Sequence, residues 1–114
     1  DKRILMRSPF FYHKDDTPVF QKGKVIVRYA YPGGAFEQHA GKAPIYWTET
    51  KTDSDVTFTF EESRRDAEYI FLIDRSRGIA IRLPVNGGRS SFSTDGEKTW
   101  RSLYQVAGPV PTRP

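Results

Sequence analysis

The chain has 114 residues, 18 basic and 14 acidic, for a net charge of +4, and it contains no cysteine. That length fits one domain; the missing cysteines exclude disulfides, thiolate metal sites and a cysteine nucleophile; and no apolar run reaches the ~18 residues of a membrane span. The charge excess is small and scattered, grouped only at Lys2-Arg3 and Arg64-Arg65, whereas a nucleic-acid binder concentrates positive charge on one face.

Aromatic residues make up 14% of the chain, which suits strands better than a helical bundle. At the N-terminus, Ile4-Leu5-Met6, Phe10-Phe11-Tyr12 and Pro18-Val19-Phe20 read as short strands, with a turn from His13 to Thr17. The chain opens at Asp1 rather than Met. Two origins carry equal weight: removal of a signal peptide or lipoprotein leader, and a boundary chosen for expression.

Residues 24–31 alternate, with Val25, Val27 and Tyr29 on one face and Ile26, Arg28 and Ala30 on the other, and this predicts a strand. Pro32-Gly33-Gly34 breaks it. Residues 35–43 (AFEQHAGKA) show no period and stop at Pro44, which predicts a long exposed loop. Residues 45–48 resume as a strand. Asp53-Ser54-Asp55 is a turn. In residues 56–60, Val56, Phe58 and Phe60 are expected to face the core, with Thr57 and Thr59 facing out. Residues 61–68 (EESRRDAE) read as a charged connection. From residue 69 the pattern is regular: strand 69–73, turn 74–78, strand 79–83, turn 84–88 with Asn86-Gly87-Gly88, then two strands flanking a further turn. This is an antiparallel meander of the kind that forms one propeller blade.

The expected fold is all-β: a small antiparallel β-sandwich, or two packed blade-like sheets, of about eight or nine strands. Closing a propeller takes more chain than this. Residues 1–107 are read as one domain, and 108–114, with three prolines, as an extended and poorly ordered tail.

Ser93-Thr94-Asp95-Gly96-Glu97-Lys98-Thr99-Trp100 resembles the Asp-box, a hairpin motif written S-x-D-x-G-x-T-W and found in sialidase-like propellers and many exported β proteins. Ser93, Asp95, Thr99 and Trp100 match it; Glu97 stands where the motif has glycine, at a position expected to need positive φ. The Ser and Asp side chains are expected to bond the turn's own backbone, and the Trp to pack beneath the hairpin. The role is therefore structural, and Asp95 is read neither as a catalytic acid nor as a calcium ligand.

Other chemistry-bearing residues also have plain readings. Tyr12-His13-Lys14-Asp15-Asp16 lacks a metal-ligand spacing, and His13 and His39 lie far apart in sequence. Glu61-Glu62 and Asp66/Glu68 sit in a strongly charged segment rather than an apolar pocket. Ser90-Ser91 has no nucleophile elbow around it. Gly33-Gly34 and Gly87-Gly88 match no phosphate loop. These readings predict no catalytic residue, no metal and no cofactor. The aromatics bracketing the 31–43 segment remain as a contact surface for a sugar or a protein.

The run from residue 69 to 103, YIFLIDRSRGIAIRLPVNGGRSSFSTDGEKTWRSL, resembles type VI secretion immunity proteins, in particular periplasmic lipoprotein inhibitors of lipase effectors. The resemblance implies a non-enzymatic protein that binds one toxic effector and blocks its active site. It also implies a periplasmic home, with any lipid anchor on an upstream segment. Composition places the contact at Tyr31, Phe36, Glu37, His39 and Lys42, with Phe36 as apolar anchor, Glu37 as acidic contact and His39 as polar contact. The alternative is a carbohydrate-binding β-domain stacking sugars on Tyr46 and Trp47. A fragment of a sialidase-like enzyme would need an arginine cluster spread over several blades, which this length does not supply.

Overall fold

Two-residue periodicity sets the architecture. In the computed structural model, which describes residues 23–112, the strands run in chain order: β1 (Val25–Tyr31), β2 (Gly34–His39), β3 (Tyr46–Lys51), β4 (Thr57–Arg65), β5 (Tyr69–Asp74), β6 (Ile79–Pro84), β7 (Gly88–Ser93), β8 (Arg101–Val106) and β9 (Val110–Pro111). All are antiparallel and sequence neighbours pair, except that β9 returns to the free side of β1, giving the order β9-β1-β2-β3-β4-β5-β6-β7-β8. The three N-terminal strands read from sequence lie outside the described residues.

The fold is all-β, and the two layers expected from sequence are one continuous sheet that curls until its ends meet. Tyr29 of β1 donates its hydroxyl to the Val85 carbonyl beyond β6, and Tyr31 of β1 stacks on Tyr104 of β8 with ring centroids 3.9 Å apart. The Ala107 amide donates to the Ala30 carbonyl. Val110 then pairs with Arg28 and Pro111 with Val27, and the Thr112 hydroxyl donates to the Val25 carbonyl. The tail read as poorly ordered is thus, through residue 112, the stitch that ties β8 to β1. Proline is tolerated there because β9 is an edge strand.

Curling buries one face. Tyr29, Tyr31, Phe36, Trp47, Phe60, Ile70, Leu72, Ile81, Leu83 and Val106 form the core, and the alternation of β1 holds as read. Three local expectations change. Val56 is 49% exposed and precedes β4 rather than joining the core. Residues 61–65 of the charged stretch read as a connection are the second half of β4, which runs to Arg65, and only 66–68 connect it to β5. A bulge between Glu62 and Arg64 turns Arg65 inward opposite Ile70 and Arg64 outward opposite Phe71. The segment read as an exposed loop contains β2.

The interior is closed at one end by polar groups that satisfy one another. Glu62 accepts from the Trp47 indole at 3.0 Å and from Arg65 at 2.9 and 3.0 Å. At the other end, where the β1–β2, β3–β4, β5–β6 and β7–β8 turns gather, Tyr31 donates to the buried Glu49 carboxylate and Lys51 donates to the Tyr104 hydroxyl at 2.7 Å. Gly34 makes the first contact possible: a Cβ there would lie 2.5 Å from the Tyr31 hydroxyl oxygen.

Candidate functional site

The residues predicted to form a contact surface on a loop do not make an exposed surface. Tyr31 (7% exposed), Phe36 (0%) and His39 (1%) are buried. Phe36 points into the core against Tyr31 and Phe60. Glu37 turns to the opposite face and pairs with Arg28 at 3.3 Å. The two ring nitrogens of His39 lie 2.7 Å from the Gly23 carbonyl and 2.8 Å from the Thr48 hydroxyl. Only Lys42, in the bend after β2, is exposed. The misreading has a physical cause. Ala35, Phe36 and His39 are all buried although they do not share one face, and a strand covered on both sides loses the alternation by which a half-buried strand is recognised. Trp47 is also fully buried, which removes the Tyr46–Trp47 platform proposed for sugars.

The turn between β7 and β8 is held by side chains. The Ser93 hydroxyl donates to Asp95 at 2.8 Å and accepts from the Glu97 amide at 3.0 Å. The Asp95 carboxylate accepts from the Lys98 and Thr99 amides at 3.1 and 3.0 Å and from the Thr99 hydroxyl at 2.5 Å. Gly96 and Glu97 both take positive φ, 73° and 68°, so the position where the motif carries glycine does adopt the left-handed conformation. The Thr99 hydroxyl first, then the Thr99 amide and the Ser93 hydroxyl, pull the Asp95 carboxyl down to about 2 from its ordinary 3.8. A depressed carboxyl stabilises the fold above its ordinary value and stops doing so as pH falls through the folded value. Thermal unfolding should therefore show wild type more stable than Asp95→Asn near neutrality, with the gap closing between about pH 4 and pH 2. A gap constant across that window would mean that the ionised carboxylate does not hold the turn.

Trp100 is not tucked under the hairpin within the core. It is half-buried on the outer face of the sheet, because the turn folds back over β5 and β6. There it meets Phe71 edge-on at 6.1 Å and covers the Arg82 guanidinium at 4.5 Å. Tyr69 takes the same guanidinium at 4.8 Å, and Arg64 lies 3.7 Å over the Phe71 ring while pairing with Glu97 at 2.9 Å. Cross-strand register produces this platform, since Arg64 stands opposite Phe71 and Phe71 opposite Arg82. Among the described residues Arg82 Nε is a buried side-chain donor with no acceptor, a condition native proteins rarely leave unmet.

Three carriers of the platform, Tyr69, Phe71 and Arg64, are not legible from sequence. Residues 69–73 (YIFLI) read as a buried strand, and Ile70, Phe71 and Leu72 are buried, but only Ile70 and Leu72 join the core cluster, while Tyr69 and Phe71 face outward. Arg64 is placed by a bulge that the charged run does not announce. The remaining polar candidates are structural. Ser90 is buried, donating to the Tyr104 carbonyl and accepting from its amide. Glu61 pairs with Arg75, and Asp66 accepts from the amides of Glu68 and Tyr69. Among the described residues no three His, Asp or Glu side chains gather to hold a metal, and no helix is long and apolar enough to cross a membrane.

No family model matches the chain, and no curated protein and no solved structure matches it.

Proposed function

We propose that this chain is a non-enzymatic immunity protein, exported to the periplasm, that binds a secreted toxic effector of the type VI class and blocks its active site. The observation that carries the docking reading is the Tyr69–Arg82–Trp100 stack. Trp, Tyr and Arg are the residues that dominate binding energy at protein interfaces. Here they are half-buried and ordered against one another, and the Arg82 Nε donor lies unsatisfied among them. An acidic group on the partner would pair with the Arg82 guanidinium, which forms no ion pair among the described residues, in keeping with the chain's positive charge. The stretch whose sequence resembles immunity proteins is the stretch that builds this platform, apart from Arg64.

The test is periplasmic co-expression of the chain with the effector encoded beside its gene, together with calorimetric titration of the purified pair. Wild type should restore growth and bind the effector. Trp100→Ala and Arg82→Met should each weaken binding at least tenfold, about 1.4 kcal/mol, with unchanged far-UV circular dichroism. Arg82→Met keeps the stem that packs on the rings and removes only the guanidinium. Absence of binding and protection would end the immunity reading, and saturable quenching of Trp100 fluorescence by sugars would put carbohydrate recognition in its place.

A further inference from the structure

The open end of the curled sheet contains a cavity of about 190 Å³ on the inner face, away from the outer platform. Its walls are Phe58, Phe60, Ile79, Ile81, Phe92 and Leu103. A dry cavity of about 150 Å³ takes one benzene molecule, so the apolar body admitted here is slightly larger than a single ring. Mouths of β-barrels lined by apolar side chains with a few convergent polar groups are a recurrent setting for small ligands.

The charged groups lining the mouth are Glu49, Lys51 and Arg77; Lys51 pairs with Glu49 at 3.5 Å, and Arg77 pairs with Asp74 at 2.6 Å. Both pairs have the same polarity with respect to solvent. The side chains of Lys51 and Arg77 are 34% and 33% exposed, whereas those of Glu49 and Asp74 are 7% and 11% exposed. An approaching ligand therefore meets cations, with the carboxylates recessed behind them. The cations are also held in place. Arg77 sits 4.0 Å over the Phe58 ring and 5.4 Å from that of Phe60, and Lys51 sits 5.1 Å over the Tyr104 ring. Its bond to Asp74 occupies one of the five N–H donors of Arg77.

We propose that this mouth binds a small organic anion with an apolar body, of the medium-chain carboxylate class, the chain entering between Phe58 and Leu103 and the carboxylate resting between Arg77 and Lys51. A phosphate or sulfate ion offers no apolar body for the walls, and an amine meets two cations at the entrance.

Octanoate, octanol and octylamine serve as probes for the intact chain, followed by calorimetry and by amide shifts in heteronuclear NMR. Octanoate should bind saturably, at least tenfold more tightly than octylamine, with shifts confined to β3, β4, β6, β7, β8 and the 74–78 turn. Arg77→Met should raise the octanoate Kd at least tenfold and leave octanol binding within a factor of three. Ile81→Trp should fill the cavity and abolish binding, and Leu103→Trp serves the same purpose if Ile81→Trp fails to fold. Equal binding of octanoate and octylamine, shifts mapping to another surface, or no binding by wild type at millimolar octanoate would overturn the proposal. None of these results bears on effector binding, which the outer-face variants test separately.

Discussion

Phe36→Ala is expected to destabilise the fold by about 3–5 kcal/mol, the usual cost of removing a fully buried aromatic ring together with the cavity it leaves. The ring is wholly inaccessible to solvent. It meets Tyr31 at 5.4 Å and both Phe60 and Tyr104 at 6.3 Å. Those partners belong to β1, β4 and β8, so the ring helps hold together the two ends of the sheet that meet when it curls. A small domain has about 5–15 kcal/mol of stability in total, and the variant would give up a large part of it. Urea unfolding at neutral pH measures the loss through the shift in midpoint. Phe36→Leu restores most of the volume and should recover more than half of it. A loss under about 1 kcal/mol would mean that the ring is not part of the core. Read from sequence as a loop anchor, the same substitution predicts loss of partner affinity with folding intact. Its burial makes folding the quantity that changes.

Phe36 also illustrates what sequence can and cannot reveal in this chain. The class of the fold was legible because β1 and the β5–β6 hairpin carry simple signals, an alternating strand and two apolar strands separated by Asp74–Gly78. Those signals are local. Curling is not. It depends on contacts such as Tyr29 with Val85 and Tyr31 with Tyr104, which link residues 56 and 73 positions apart, and no short window contains them. Strand β2 was lost for a related reason, since its cover on both faces comes from outside the strand. The turn chemistry of Ser93, Asp95 and Thr99 was legible because all its partners lie within four residues. The outer platform was legible only in part. A tryptophan closing a hairpin announces a contact, but the face it covers depends on how the turn folds back, and Arg64 reaches that face only because a bulge reverses the phase of β4.

Tyr31→Phe is expected to cost about 1.5–3 kcal/mol at neutral pH, because the hydrogen bond it deletes has a charged acceptor. The Tyr31 hydroxyl donates to Oε2 of Glu49, whose side chain is only 7% exposed. Loss of the donor leaves a buried carboxylate with Lys51 at 3.5 Å as its remaining charged partner, so the lower half of the range is the better expectation. The substitution also has a distinctive pH signature. Burial first, then the bond to Glu49 and that residue's charge, push the Tyr31 hydroxyl well above the ordinary tyrosine value of 10.0. The fold therefore keeps the neutral phenol. Its stabilisation is fully present below about pH 10 and declines as pH rises beyond that, where the unfolded chain ionises its tyrosines and the folded chain holds this one back. The phenylalanine variant has no such proton to withhold. Unfolding free energies of the two proteins should differ most between pH 7 and 9 and converge above about pH 10. Convergence will not flatten the alkaline limb of the variant, since burial also raises Tyr29, and that residue is present in both chains. Parallel curves from pH 7 to 11 would show that the Tyr31 hydroxyl is not the group held neutral against Glu49, and this polar end of the curled sheet would then have to be stabilised by Lys51 and Tyr104 alone.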